Sequence, residues 1–229
     1  MERVLTLEKY DGTFQKTKAL PLHRWYPFAK GFGEKFVSQV IKEFADKSTF
    51  LIDPFAGCGT SLLVASKYNL PSGYCEINPF LRFVIETKIN SPIRLLEKGI
   101  NAVWELEHFV NFLEPSILAK TPPAPISSLS LDKPYFDKDV LEVLLRLKNL
   151  VYERLGYDED LKNLGLLALS SILVDVSNLK RAGDLRYRRP GEKLQLSEET
   201  VIEEFKQRIT LIIEDLQQTE RLKVETMSL

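Results

Sequence analysis

The chain has 229 residues, with 31 Lys and Arg against 32 Asp and Glu, and its formal net charge of -1 excludes a basic nucleic-acid tail. Hydrophobic residues at 44% and charged residues at 28% match an ordinary globular chain and exclude wholesale disorder. The longest uncharged stretches, Pro54 to Ser66 and Asn163 to Val174, are about a dozen residues each, short of the roughly 20 that a membrane helix needs, and Met1-Glu2-Arg3-Val4 lacks the apolar core of a secretory signal. A cytoplasmic protein without a membrane segment is therefore expected. Two cysteines, Cys58 and Cys75, and two distant histidines, His23 and His108, indicate neither a disulfide framework nor a metal site.

In chain order, roughly the first thirty residues, through Gly33, lack periodicity and carry Trp25, Tyr26, Phe28 and Phe32 among Pro21, Pro27, Gly31 and Gly33. This reads as an irregular arm that must pack on something. Helical spacing of Phe36, Val37, Val40, Ile41 and Phe44 predicts an amphipathic helix over 34–46. The short β-prone run 49–53 predicts a strand, followed by a glycine loop and a helix over 60–68. A second strand is predicted over 72–76, completing a βαβ unit with a right-handed crossover. Helices are predicted over 80–89 and 93–118, broken mainly at Ser91-Pro92. Thr121-Pro122-Pro123-Ala124-Pro125 reads as a linker, which divides the chain into residues 1–120 and 121–229. A weak strand is predicted over 126–131, and helices over 137–155, 160–179 and 197–226. The last helix opens with Ser197-Glu198-Glu199 and lines up Val201, Phe205, Ile209, Ile212, Ile213 and Leu216 on one side. The fold class expected is α/β: a partial doubly wound arrangement built on the βαβ unit and followed by a mainly helical region.

Chemistry concentrates in Asp53-Pro54-Phe55-Ala56-Gly57-Cys58-Gly59-Thr60 and in Glu76, nineteen positions after Gly57. At the carboxyl end of a parallel strand, Gly57 and Gly59 let the backbone approach a ligand without a Cβ in the way, where the next helix offers free N–H groups. An acidic residue ending the following strand can accept hydrogen bonds from a ribose diol, the role expected for Glu76. The third glycine of the dinucleotide pattern is replaced, because Gly59 is followed by Thr60-Ser61-Leu62. A nucleoside with a short charged tail therefore fits better than a dinucleotide, and S-adenosylmethionine is such a molecule.

The segment Asp53 to Thr60 resembles the cofactor motif of DNA amino-methyltransferases, which methylate N4 of cytosine or N6 of adenine, and Glu76-Ile77-Asn78-Pro79 is similar to the ending of their second strand. His23-Arg24-Trp25-Tyr26-Pro27-Phe28-Ala29-Lys30-Gly31-Phe32 resembles the arm that precedes this motif and closes over the methionine end, with one residue missing after Phe28. Val176 to Arg181 and Arg186 to Arg189 look like the stretch leading to the catalytic motif of N4-cytosine enzymes. The resemblance implies a Rossmann-like methyltransferase fold and S-adenosylmethionine bound by Asp53, Pro54, Phe55, Ala56, Gly57, Gly59, Thr60, Glu76 and Ile77, with Trp25 and Phe28 from the arm. It also implies double-stranded DNA as the substrate, in a restriction-modification setting.

The family's Ser/Asp/Asn-Pro-Pro-aromatic motif, which holds the target amine, is absent. Thr121-Pro122-Pro123-Ala124 has no aromatic residue, and Asp132-Lys133-Pro134-Tyr135 has Lys133 in place of the first proline. No catalytic residue is therefore assigned. About five strands are needed to bury a doubly wound sheet, and this chain offers two convincing strands and one weak one. A partner chain carrying the remaining strands and the catalytic motif is expected, a truncated gene being the alternative. The same loop also occurs in RNA guanine-N2 methyltransferases, and a non-catalytic accessory protein would retain the cradle alone. Cys58 reads as a space-filling residue and His23 as a packed one. Between Lys180 and Lys193 lie six basic residues against Asp184 and Glu192, with Tyr187 interleaved, so Lys180, Arg181, Arg186, Arg188 and Arg189 are candidate phosphate contacts.

Overall fold

The computed structural model describes residues 13–28, 31–126, 134–182 and 184–227. The fold is mixed α/β and mostly helical, and two compact units divide it, Met1–Asn90 and Ser91–Leu229.

In the first unit the irregular arm makes two 3-10 turns, Thr17–Ala19 and His23–Trp25, and buries Phe14, His23 and Trp25. Helix α1 spans Glu34–Phe44 and has no side-chain cap from its own Gly33. The buried Thr17 hydroxyl accepts the Glu34 N–H instead, at 2.8 Å, so the arm satisfies an orphan amide of the helix start. Strands β1 (Leu51–Asp53) and β2 (Ser72–Tyr74) pair in parallel, with Ile52 opposite Gly73, and helix α2 (Thr60–Lys67) is their crossover. Thr60 to Ala65 are all buried, so α2 is an interior helix rather than an amphipathic one. It sends Val64 into a cluster with Val37 and Ile41, and Leu62 into another with Ala56 and Ile85.

Helix α3 (Pro79–Glu97) runs through the expected break, with Pro92 inside it. Proline removes one helical donor, and it is tolerated here because Ser91, Arg94 and Lys98 all bond to Asp160, which fixes the backbone on both sides of the proline. The helical stretch expected to reach residue 118 divides into α4 (Ala102–Val110) and the short α5 (Pro115–Leu118). Gly99 at φ +71°, the Asn101 side chain accepting the Trp104 N–H, and Pro115 at a helix start are the local causes.

The boundary between the compact units falls inside α3, and the Pro-rich stretch lies within the second unit. There Thr121 and Ala124 are buried, the Ala124 N–H reaches the Leu145 carbonyl at 3.0 Å, and Arg146 donates to the carbonyls of Leu118, Ala119 and Thr121. Residues 127–131 of the weak strand expectation lie outside the described residues.

Helices α6 (Lys138–Leu155), α7 (Glu159–Ile172) and α8 (Glu198–Met227) pack with α4 around Leu106, Phe109, Leu147, Leu164 and Phe205, all buried. A Cβ on Gly165 of α7 would stand 2.9 Å from Val151, so this glycine sets how closely α6 and α7 approach. The apolar side of α8 from Val201 to Leu216 is spent inside this unit. Helix α7 stops at Ile172, not near residue 179, and an antiparallel pair follows, β3 (Leu179–Ala182) with β4 (Asp184–Tyr187). The sequence hides this pair because its strands are four residues long and Lys180 and Arg181 are adjacent, so no run of alternating apolar and polar residues marks them.

Candidate functional site

The loop from β1 to α2 is shaped by its two glycines, at φ +55° for Gly57 and +84° for Gly59, a region costly for any residue with a Cβ. The Gly59 N–H turns back to the Ala56 carbonyl at 2.8 Å, and the Ala56 N–H donates to the Cys75 carbonyl beyond β2 at 3.2 Å. Space is short as well. A Cβ on Gly57 would sit 3.2 Å from the Phe28 ring of the arm, and one on Gly59 3.2 Å from Ile85 of α3.

Glu76 faces this loop. One carboxylate oxygen accepts the Gly57 N–H at 2.8 Å and the other the Asn78 N–H at 2.9 Å. Among the described residues, the N–H groups of Cys58, Thr60 and Ser61 donate to no protein group. The loop is thus a patch of unpaired amides at the start of an eight-residue helix, beside a carboxylate at the end of the neighbouring strand. Such a patch attracts a negative group, and the carboxylate beside it suits hydroxyl donors.

Asp53 takes a different position from a ligand-facing acid. It is buried, with one oxygen accepting the Phe55 N–H at 3.0 Å and the other the Ser61 hydroxyl, so it braces the turn from within. Pro54 forms part of the same turn. Phe55 is 83% exposed and Ile77 98% exposed, two apolar side chains open to solvent at the loop and just past Glu76. Ala56 and Thr60 are buried beneath it. Trp25 is fully buried and Phe28 half-buried, so of these two it is Phe28 that meets the loop. Ala29 and Lys30, where the arm departs from its family pattern, lie outside the described residues.

Cys58 is buried, as its space-filling reading requires, and Cys75 is exposed. Burial, then the charges of Lys88 and Lys67, lowers His23 to about 3, so the ring is neutral at ordinary pH. Lys88 of α3 was not visible as a site residue in the sequence. It is fully buried, it forms no ion pair among the described residues, and its Nζ lies 3.5 Å from the Cys58 carbonyl. Burial pushes its pKa down, the neighbouring Cys58 opposing this.

The basic candidates of the second unit lie on the β3–β4 pair and just after it. Lys180 and Arg186 stand opposite each other and share Glu192, at 3.1 and 2.7 Å. Hydrogen bonds from Arg186, Arg189 and Lys180 hold the Glu192 carboxyl well below its usual range. Arg188 Nε donates to the Ser177 carbonyl at 3.1 Å. Tyr187 stacks on Tyr135 with ring centroids 6.0 Å apart. The Arg181 side chain has no protein partner among the described residues. Asp132 and Lys133 lie outside the described residues. Among the described residues there is no cluster of His, Cys, Asp and Glu able to hold a metal, and no helix long and apolar enough to cross a membrane.

A parallel βαβ unit with a glycine loop, free helix-start amides and a strand-end carboxylate is the kind of crevice in which α/β proteins hold a ligand. Comparison with known proteins then names the relatives. The chain is 34% identical over 110 residues to the Type II methyltransferase M.AvaI of Nostoc sp. (strain PCC 7120 / SAG 25.82 / UTEX 2576), a match covering 48% of this chain and 21% of the relative. It is 30% identical over 183 residues to the Type II methyltransferase M.MvaI of Kocuria varians, covering 76% of this chain and 39% of the relative. With the Type II methyltransferase M.BsoBI of Geobacillus stearothermophilus it shares 23% identity over 219 residues, 93% of this chain and 41% of the relative. The curated homologues of the chain are therefore Type II methyltransferases, in line with the family resemblance of its glycine motif. The chain spans about two-fifths or less of the length of these relatives. No family model matches it, and no solved structure does.

Proposed function

We propose that this chain is the S-adenosylmethionine-binding part of a site-specific DNA methyltransferase of Rossmann-like architecture, acting on an exocyclic amine, N4 of cytosine in preference to N6 of adenine. The observation that carries the reading is the cradle itself: unpaired amides at Cys58, Thr60 and Ser61 beside the Glu76 carboxylate, in a chain whose curated homologues are Type II methyltransferases. The donor set fits the cofactor, since the amides suit its carboxylate, Glu76 its ribose hydroxyls, and the exposed Phe55 and Ile77 the flat faces of its adenine. When bound, S-adenosylmethionine supplies an activated methyl group. The chain's own residues bind and orient it, with Phe28 closing one side of the loop. The preference for N4-cytosine rests on the family resemblance of residues 176–189. Arg181 and Arg189 are the basic side chains best placed to meet DNA phosphates, because Lys180 and Arg186 are engaged by Glu192.

The amine-holding half comes from another polypeptide segment, in our reading a second chain. Among the described residues strand β1 pairs with β2 alone, and the alternation of a parallel ladder turns the Ile52 N–H and C=O away from β2. Ile52 is 67% exposed, although strands of a parallel sheet are normally covered on both faces. The relatives' additional length is enough to provide further strands.

Calorimetric titration of S-adenosylmethionine into the chain, with and without the product of the adjacent gene, tests the reading, together with methyl transfer to DNA. Binding that tightens with the partner and is accompanied by transfer is the expected result, and Gly57→Val abolishes it. Tight binding without transfer in either sample indicates a non-catalytic accessory protein, and no binding in either overturns the cofactor site.

A further inference from the structure

We infer that Lys88 is a positioning residue of the cradle, whose buried amine holds the Cys58 carbonyl inward so that the loop presents N–H groups, and not an oxygen, to an anionic ligand. The inference rests on the cofactor reading above for the identity of the ligand, but the lock itself is a property of this chain.

The Cys58–Gly59 peptide is the weak point of the loop. Gly59 tolerates either sign of φ, so this peptide plane can rotate at little steric cost. In the observed orientation its N–H is taken by the Ala56 carbonyl at 2.8 Å and its carbonyl faces Lys88 Nζ at 3.5 Å. In the rotated orientation the carbonyl oxygen turns toward the ligand side, where it repels a carboxylate and competes with the free amides. A fixed donor beneath the loop removes that alternative.

Lys88 is placed for this. It lies one turn after Ile85, whose side chain stands 3.2 Å from the position of a Gly59 Cβ, so α3 is packed directly under the loop. The amine is wholly buried, and no carboxylate compensates it among the described residues. Burying an unpaired cation opposes folding, and an apolar residue of similar length is expected to serve the core at least as well. A lysine here therefore contributes something other than packing. Among the described residues its hydrogen-bond partner is the loop carbonyl, and the titratable neighbours are Cys58 in the loop and His23 in the arm, the latter neutral.

The test is Lys88→Met, which keeps the stem and removes the donor. A merely structural lysine predicts unchanged S-adenosylmethionine affinity with an unchanged or raised Tm. The lock predicts a Tm that is not lowered, together with an affinity reduced about tenfold. It further predicts faster amide hydrogen exchange confined to residues 54–62 in the ligand-free chain. Affinity within twofold of wild type, or unaltered exchange in that segment, overturns it. Should Lys88→Met not fold, Lys88→Arg retains a donor on a long stem: binding within threefold of wild type supports the lock, and loss of binding in a folded Lys88→Arg chain overturns it. A wild-type chain that fails to bind S-adenosylmethionine defeats the functional reading, whereas the exchange measurement, made without ligand, still decides the lock.

Discussion

At the scale of single residues, Glu76 does two things at once. Its carboxylate accepts from Gly57 and Asn78, so before any ligand arrives it already pins the glycine loop to the end of β2. Each oxygen keeps a lone pair for a hydroxyl donor. Glu76→Ala therefore removes the pin and, on the proposed reading, the ribose acceptor. Hydrogen bonds to a charged group contribute about 1.5–3 kcal/mol each, so S-adenosylmethionine affinity is expected to drop at least tenfold in a titration. An affinity equal to wild type would take Glu76 out of the site. The glycine spacing made this residue legible in the sequence. Lys88 was not, because a lysine on a helix that also carries exposed positions reads as solvated until the packing partner is known. Asp53 shows a similar limit: its place in the motif was clear, but its bond to Ser61, eight positions away, depends on how the loop folds back over α2.

At the scale of elements, the least expected join is that of α3 to α7. Ser91, Arg94 and Lys98 converge on Asp160, whose carboxylate is buried while the two cations stay partly exposed. Burial by itself would raise the Asp160 pKa, but the hydrogen bonds from Arg94, Lys98 and Ser91 outweigh it and hold the group at about 2, below its ordinary 3.8. A carboxylate depressed in the folded state stabilises the fold above its unfolded pKa, and this contribution fades as pH falls through the folded value. Urea unfolding should accordingly lose roughly 2 kcal/mol between about pH 4 and pH 2 on account of this group. Asp160→Asn should be destabilised by a similar amount at pH 7 and lose less on acidification; the same pH dependence in the variant would exclude Asp160 as its source. Helix periodicity foretold α1, α2, α6 and α8 to within a few residues. It misjudged Pro92 because the bonds that hold the helix there come from a residue 66 to 69 positions away, and it overran the end of α7 because Val174 and Val176 continue the apolar pattern through a turn.

At the scale of the molecule, the parallel pair β1–β2 has the smallest sheet a βαβ unit can make, and that much was foreseen from two short runs and a glycine loop. What a single sequence does not reveal is how a sheet is completed, since strand neighbours are set by contacts far apart in the chain. The exposed Ile52 offers a direct check of completion by further strands. Ile52→Glu should change the stability of the isolated chain by less than about 0.5 kcal/mol, as befits an exposed site. It should also abolish any gain in cofactor affinity brought by the proposed second chain, and full retention of that gain would place the partner elsewhere.

The two tryptophans give each compact unit its own optical reporter. Trp25 in the first unit is 1% exposed and shut away from water, so its indole should emit toward the blue; Trp104 in the second is 57% exposed and stacked on His108, so its emission should lie to the red and be partly quenched by the imidazole. A chain with Phe at position 104 would thus glow from the arm alone, which makes the packing of that arm observable by its colour.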